Sequence, residues 1–357
     1  MTLKVLILAT APERINPSQR FRFEHYLSMA ESQGISFTFS PFFSNTTWKI
    51  LHTPHHYFQK TVGLIMGFTR RWLLMLTLKK FDWVYIHREA SPIGPPIFEW
   101  IIATIFRKKI IYDFDDAIWI NQASQANPFI SSLKFGSKVS FICKKAHIVS
   151  VGNEYLASFA EKYCKDVRII PTLVDTEKYH NQLKDQSTGS VTIGWTGTYT
   201  NFHNLHLVMP LIKKLQNKYH IKVKIIADKD PQLKDIIYEY KKWEYATEIQ
   251  DLLDINIGIM PLIDSDFERG KCAFKAIQYM SLGIPAVISP VGANAKLIKH
   301  GENGYLVSDE SEWLTKLDTL INDSNVRTEM GKKAQKTIIE KYSVKAYESD
   351  FFKLFSA

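Results

Sequence analysis

The chain has 357 residues, 45% of them hydrophobic, with 45 Lys and Arg against 36 Asp and Glu for a formal charge of +9. That length and apolar content predict a globular protein of two domains, and the basic balance suits phosphate-bearing ligands or an anionic membrane surface. The basic residues form no long run, which sets nucleic acid aside, and Cys143, Cys164 and Cys272 form no C-x-x-C pair, which argues against a disulfide framework or zinc site and suits a reducing compartment.

In chain order, KVLILAT follows no basic stretch and predicts a first buried strand rather than a signal peptide. It leads through a Pro-flanked loop into a helix capped at about Ser18. Arg20 and Arg22 follow, and because two residues so spaced on a helix face different ways, one at most serves a site. The stretch TVGLIMGFTRRWLLMLTLKK is cut by Arg70 and Arg71, so it falls short of the roughly 20 apolar residues that a membrane span needs. With Trp72, Lys79 and Lys80 it suits either docking on anionic lipid or a core helix with basic ends.

WVYIHREASPIGPP ends a strand in His87, Arg88 and Glu89. Two readings fit: a buried histidine with an Arg–Glu pair bracing the loop, or a polar set lining a binding site. KKIIYDFDDAIW ends a strand in Asp113, Asp115 and Asp116. Acids gathered at a strand end repel one another, which predicts a cation, a hydroxyl donor or a basic partner. The D-x-D spacing suggests a metal-dependent transferase, but that chemistry belongs to a single-domain fold, and no metal is expected.

AHIVSVG and VRIIP complete one series of apolar strands, and VTIGWTG, VKIIAD, INIGIMPL, PAVISP and GYLVS form a second. Continuous apolar strands alternating with helical segments imply parallel sheets covered on both faces, hence an α/β chain of two doubly wound, Rossmann-like domains. The polar stretch PTLVDTEKYHNQLKDQSTGS predicts a linker at about Asp175 to Ser190, dividing residues 1–180 from 185–342. The C-terminal helical segment breaks at Tyr342 and Ser343, and 343–357 is expected to return to the first domain. Two such sheets facing a central cleft would place ligands at the carboxyl ends of their strands.

In the second half, Gly194 and Gly197 allow close backbone approach after the strand VTIGW, and Thr198 to Thr200 suit a helix cap or a phosphate contact. In ERGKCAFKAIQYMSLGIPAV, a helix starting after Gly270 would put Lys271, Lys275 and Gln278 in one arc and Ala273, Ala276, Ile277 and Met280 in the opposite one. Side chains on a helix lean toward its N-terminus. Both ammonium groups would then reach free N–H groups at a sheet's carboxyl edge, a place for a diphosphate.

The run from Glu268 to Val307, with its ERGKxxFKxxQYMxxGxPAVxSPVGxN and HGxNGxLV pattern, resembles the donor-binding segment of the group 1, or family 4, retaining glycosyltransferases of the GT-B fold. In that family two glutamates are separated by seven residues and the second contacts the ribose or the sugar diphosphate; Gly270 and Gln278 stand in their places. The usual Arg and Lys after the first strand of the second half are absent, so the resemblance gives that charge to Lys271 and Lys275, assisted by Arg269. Gly197, Thr198, Glu268, Arg269, Lys271, Lys275 and Gln278 form the implied donor set. Ser18, Arg20, His87, Arg88 and Glu89 form the acceptor side. Asp115 stands near the active-site histidine of many members and, with Asp116, would orient hydroxyls of acceptor or sugar, while Lys271 and Lys275 stabilise the leaving diphosphate.

What the resemblance implies is transfer of a sugar from a nucleotide-diphosphate sugar to a hydroxyl of a glycan or lipid-linked acceptor, with retention and without metal or cofactor. It further implies a role in cell-surface polysaccharide, cell-wall or glycoconjugate synthesis, in the cytoplasm or at the inner face of the membrane. The alternatives are a nucleotide-sugar epimerase, a glycoside phosphorylase, or a non-catalytic binding protein, the last prompted by Gln278.

Overall fold

Runs of aliphatic residues with no polar alternation fold here into strands buried on both faces. The computed structural model describes residues 2–51, 53, 55–120, 136–187 and 189–356; Thr188 in the expected linker and Ala357 at the expected terminal helix lie outside them. The first six strands are β1 (Leu3–Ala9), β2 (Ile35–Pro41), β3 (Trp83–His87), β4 (Lys109–Phe114), β5 (Ile148–Val151) and β6 (Val167–Ile169), in the order β2-β1-β3-β4-β5-β6. The second six are β7 (Thr192–Gly197), β8 (Lys222–Ala227), β9 (Glu239–Lys242), β10 (Ile257–Met260), β11 (Ala286–Ile288) and β12 (Tyr305–Leu306), in the order β12-β11-β10-β7-β8-β9. Neighbouring strands are parallel throughout both sheets.

Strand order reverses direction between β1 and β3 in one sheet and between β7 and β10 in the other. At such switch points adjacent loops leave in opposite directions and open a crevice at the strands' carboxyl ends. This topology decides where polar side chains can gather without disturbing the core.

Unit 1 comprises Met1–Pro171 with Glu348–Ala357, and unit 2 comprises Thr172–Tyr347. The segment expected as a linker is strapped to unit 2: Val174 N–H donates to Tyr342 O (3.1 Å), Lys184 N–H to Leu282 O (2.8 Å), and Arg327 Nε to Gln186 Oε1 (3.1 Å). Its polar composition thus reflects a surface strap. The helix Ser324–Lys341 ends with Tyr342 as its C-cap, and the next helix, Val344–Phe352, carries the chain back to unit 1. There the Phe351 ring stacks on Tyr26, with centroids 4.0 Å apart.

The two arginines that interrupt the apolar stretch in the first half both point inward from the helix Tyr57–Met75. Arg71 is fully buried and donates to Ala90 O, Ser40 Oγ and Ala9 O, each at 2.8 Å. Arg70 donates to Pro41 O and Phe42 O, each at 2.9 Å. Neither is available for the lipid contact that the sequence suggested for them. Among the described residues no helix is long and apolar enough to cross a membrane.

In unit 2, Gly331 on the helix Ser324–Lys341 lies against the end of the helix Phe274–Ser281. A Cβ there would fall 2.0 Å from the backbone oxygen of Gly283, which a flexible side chain cannot relieve. Gly331→Ala is expected to destabilise unit 2 by about 3 kcal/mol through overpacking, read from the urea midpoint of unfolding. A midpoint unchanged from wild type would contradict this packing.

Candidate active site

At the carboxyl edge of the first sheet, a turn after β1 sets the unit 1 cluster. The short helix Pro17–Arg20 is capped by Asn16, whose side chain accepts from Ser18 N–H, so the cap lies two residues before the serine that the sequence suggested. Ser18 Oγ is thereby left to donate to Asp115 Oδ1 (2.7 Å) and to meet His87 Nε2 (2.8 Å). His87 Nδ1 lies 2.8 Å from Asp113 Oδ2, and the Arg22 guanidinium closes on Asp113 from the other side. Arg22 also donates to Ser150 Oγ (3.0 Å) and to Ile170 O.

Burial alone would raise the Asp113 carboxyl, but the Arg22 charge and the His87 contact hold it well below the usual carboxylate range. Burial likewise opposes ionisation of Asp115, and Arg88 outweighs it and lowers its pKa. Arg88 reaches Asp115 Oδ1 at 2.7 Å and Asp116 Oδ2 at 2.5 Å. The acids at this strand end therefore meet two guanidinium groups and a hydroxyl donor. Arg88 does not pair with Glu89, which instead meets Lys138 Nζ at 3.2 Å. Arg20 is buried, with its guanidinium over the Phe21 ring at 4.8 Å. Structure thus joins Ser18, His87, Arg88, Asp115 and Asp116, and turns Glu89 aside.

In unit 2 the cluster forms where β7 and β10 end. The chain after Gly270 does not begin one continuous helix. One short helix spans Asp266–Arg269, a turn follows through Gly270 to Ala273, and a second helix starts at Phe274. Ala273 takes a left-handed φ of 56° as the N-cap, an unusual conformation for a residue with a Cβ. Lys271 therefore sits in the turn, off the line of Lys275 and Gln278.

Lys271 Nζ donates to Asn201 Oδ1 (2.9 Å) and lies 3.5 Å from Glu268 Oε2. Asn201 Nδ2 in turn donates to Thr198 Oγ1 (3.0 Å), tying the loop after β7 to the lysine. Glu268 is buried, and its Oε1 lies 3.2 Å from His203 Nε2. Lys275 is buried, with its ammonium 5.3 Å from the Trp195 ring centroid. Gly197 makes this possible: a Cβ there would stand 2.8 Å from Lys275 Cε and 2.5 Å from the Trp195 ring.

Arg269 is turned away, half-exposed and paired with Asp264 (2.7 Å) and Asp266 (3.3 Å). Gln278 is buried and donates to Glu248 Oε1 (3.2 Å), an oxygen that also accepts from Trp243 Nε1 (3.0 Å). Sequence reasoning missed Asn201, His203 and Glu248; it named Arg22 only beside Arg20, as a pair of which one at most serves a site, and it counted Asp113 only as one acid of three. Each lies far along the chain from its partner, and no spacing reports such a meeting.

Because the Asp113 carboxyl titrates lower in the fold than its ordinary 3.8, its contribution to stability is complete above that ordinary value and is lost as pH falls below it and through the lower folded value. Asp113→Asn leaves Arg22 buried without its counter-charge and is expected to cost about 3–5 kcal/mol at neutral pH. Stability of the variant should also fall less than that of wild type between pH 5 and 2. Parallel urea titrations across that range measure both effects, and identical acid profiles would refute the assignment.

Residues 190–323 match the model of the family described as glycosyl transferases group 1. No curated protein sequence matches the chain. Among solved structures, sucrose-phosphate synthase from Thermosynechococcus elongatus superposes with a TM-score of 0.72 at 12% identity, covering 99% of this chain and 98% of its own. HepE from Anabaena, in complex with UDP and glucose, gives 0.66 at 13% identity, covering 99% of each chain. The catalytic domain of starch synthase IV from Arabidopsis thaliana, bound to ADP and acarbose, gives 0.67 at 11% identity, covering 100% of this chain and 99% of its own. The chain has the GT-B fold, and residues 190–323 of its second unit, which include the Glu268–Val307 pattern, are similar to the group 1 glycosyl transferases.

Proposed function

We propose that the protein transfers a sugar from a nucleotide-diphosphate sugar to a hydroxyl of a glycan or lipid-linked acceptor, with retention at the anomeric carbon. The observation that carries this reading is the unit 2 cluster at the β7/β10 switch point, where Gly197 lets the buried Lys275 reach the end of β7 and Asn201 holds Lys271 to the loop that follows. Two ammonium groups at the carboxyl edge of a parallel sheet suit a diphosphate. Negative charge develops on that group as its bond to the sugar breaks, so cations fixed in advance favour the transition state over the ground state.

In this reading Lys271 and Lys275 hold the diphosphate, and Glu268 and Asn201 fix Lys271. Gln278, Glu248 and Trp243 support the nucleoside end. Ser18, Arg88, Asp115 and Asp116 in unit 1 orient hydroxyls. The acceptor oxygen attacks on the face from which the diphosphate departs, and a phosphate oxygen takes its proton. No metal or cofactor takes part, and the product serves cell-surface polysaccharide or glycoconjugate synthesis at the inner face of a membrane. The UDP-glucose complex of the similarly folded HepE supports the donor class.

A panel of nucleotide sugars screened by thermal shift identifies the donor through mass-action stabilisation. With that donor and a glycan acceptor, Lys275→Ala is expected to lower kcat/KM by about 100-fold or more, while EDTA leaves the rate unchanged. Undiminished transfer by Lys275→Ala would remove this reading, and conversion of the donor to another sugar without an acceptor would replace it with epimerisation.

A further inference from the structure

The helix Tyr57–Met75 is built inside out. Successive residues turn by about 100°, and the arc facing unit 1 carries Gly63, Gly67 and Arg71, all buried. The opposite arc carries Phe58, Ile65, Met66, Trp72 and Leu73, with Leu76 just beyond the helix end; Phe58 and Leu76 are each 79% exposed, and Ile65 and Leu73 each 60%. An ordinary surface helix does the reverse, with its apolar stripe on the core.

The reason lies in what holds this helix down. Its glycines bring the backbone close to Thr47 and Phe42, and the buried Arg71 fork joins it to β1, β2 and the loop after β3 through Ala9, Ser40 and Ala90. The apolar arc is left without work in the fold. Single exposed apolar residues are common, but a contiguous row of them marks an interaction surface. The row widens at the neighbouring helix Ile97–Trp100, where Phe98 meets the Trp72 ring at 5.2 Å and Ile97 and Trp100 are exposed.

Charge decides what fits this row. The helix contains no Asp or Glu, and the exposed Lys79 and Lys80 follow Leu76. A second copy of the chain would bring to this helix no acid from its own counterpart, whereas an anionic bilayer offers acyl chains and headgroup phosphates together. At 19 residues the helix is about 28 Å long, and Arg70 and Arg71 keep it from spanning. We propose that this face docks on an anionic lipid bilayer, with the helix lying in the interface plane, its apolar arc at the acyl boundary, and Lys79 and Lys80 at the headgroups. The proposal rests on the transfer reading only in placing the enzyme beside a lipid-linked acceptor.

Co-sedimentation of the full chain with phosphatidylglycerol-containing vesicles and with pure phosphatidylcholine vesicles, without donor or acceptor, tests it. Wild type is expected to bind the anionic vesicles at least about tenfold more tightly. Ile65→Glu with Leu73→Glu is expected to abolish binding, and Lys79→Ala with Lys80→Ala to weaken it several-fold and reduce its salt dependence. Wild type that leaves both vesicle types in the supernatant overturns the proposal whatever the variants do. So does a concentration-dependent dimer in analytical ultracentrifugation that the double-glutamate variant dissociates while vesicle binding is unchanged. Either result leaves the transfer reading intact, because that reading is judged by Lys275→Ala and product formation.

Discussion

The buried pair of Arg22 and Asp113 is the interaction on which the unit 1 site depends. Both side chains are almost wholly removed from water, so each charge is tolerable only beside the other. From Asp113 the constraint passes to His87, whose two ring nitrogens are held by Asp113 and Ser18, and from Ser18 to Asp115. A carboxylate at a strand end would otherwise sample several rotamers. Here its position follows from a chain of contacts anchored in the core, and Arg88 holds it from the far side.

Unit 2 reaches fixed geometry by a different route. Breaking the helix at Gly270 to Ala273 costs favourable backbone hydrogen bonds and places Ala273 in the left-handed region, a conformation that costs of order 1 kcal/mol for a residue with a Cβ. In exchange, Lys271 projects from a turn toward the loop after β7, and Lys275, the second residue of the second helix, reaches the end of β7 against Gly197. An unbroken helix would have set the two lysines one above the other. The break lets them approach from separate directions.

The fold was legible because ten of the twelve strands carry apolar runs, which leave few arrangements other than paired doubly wound sheets; the edge strands β2 (ISFTFSP) and β9 (EYKK) are partly exposed, carry no such run and were not read. Residue types at the sites were legible for a related reason: polar groups at the carboxyl ends of buried strands have little structural cause to be there. What escaped was pairing. Arg88 follows His87 and precedes Glu89, and nothing local says that it turns toward Asp115 and leaves Glu89 to Lys138. Helical periodicity also assumed that a helix runs on wherever its pattern continues, which missed the turn at Lys271. The helix Tyr57–Met75 misled in the opposite sense. Its sequence suited either lipid docking or a core helix with basic ends, and both readings left the arginines at the surface, yet desolvation of one guanidinium is met by three acceptors at 2.8 Å, and that is enough to invert the usual arrangement.

The two clusters also differ in charge balance. In unit 1, Arg22 and Arg88 face three carboxylates, Asp113, Asp115 and Asp116, so the ionised groups leave a small negative excess. A cluster of this kind offers directional donors and acceptors but little net attraction for a diphosphate, and it suits hydroxyl groups. In unit 2, Lys271 and Lys275 stand beside Glu268, leaving positive charge in excess at the end of β7. Desolvation strengthens such an excess toward an anion, and the Trp195 face beneath Lys275 limits the water that would screen it. The proposed assignment of the diphosphate to unit 2 and of hydroxyls to unit 1 rests on electrostatics within each unit taken separately.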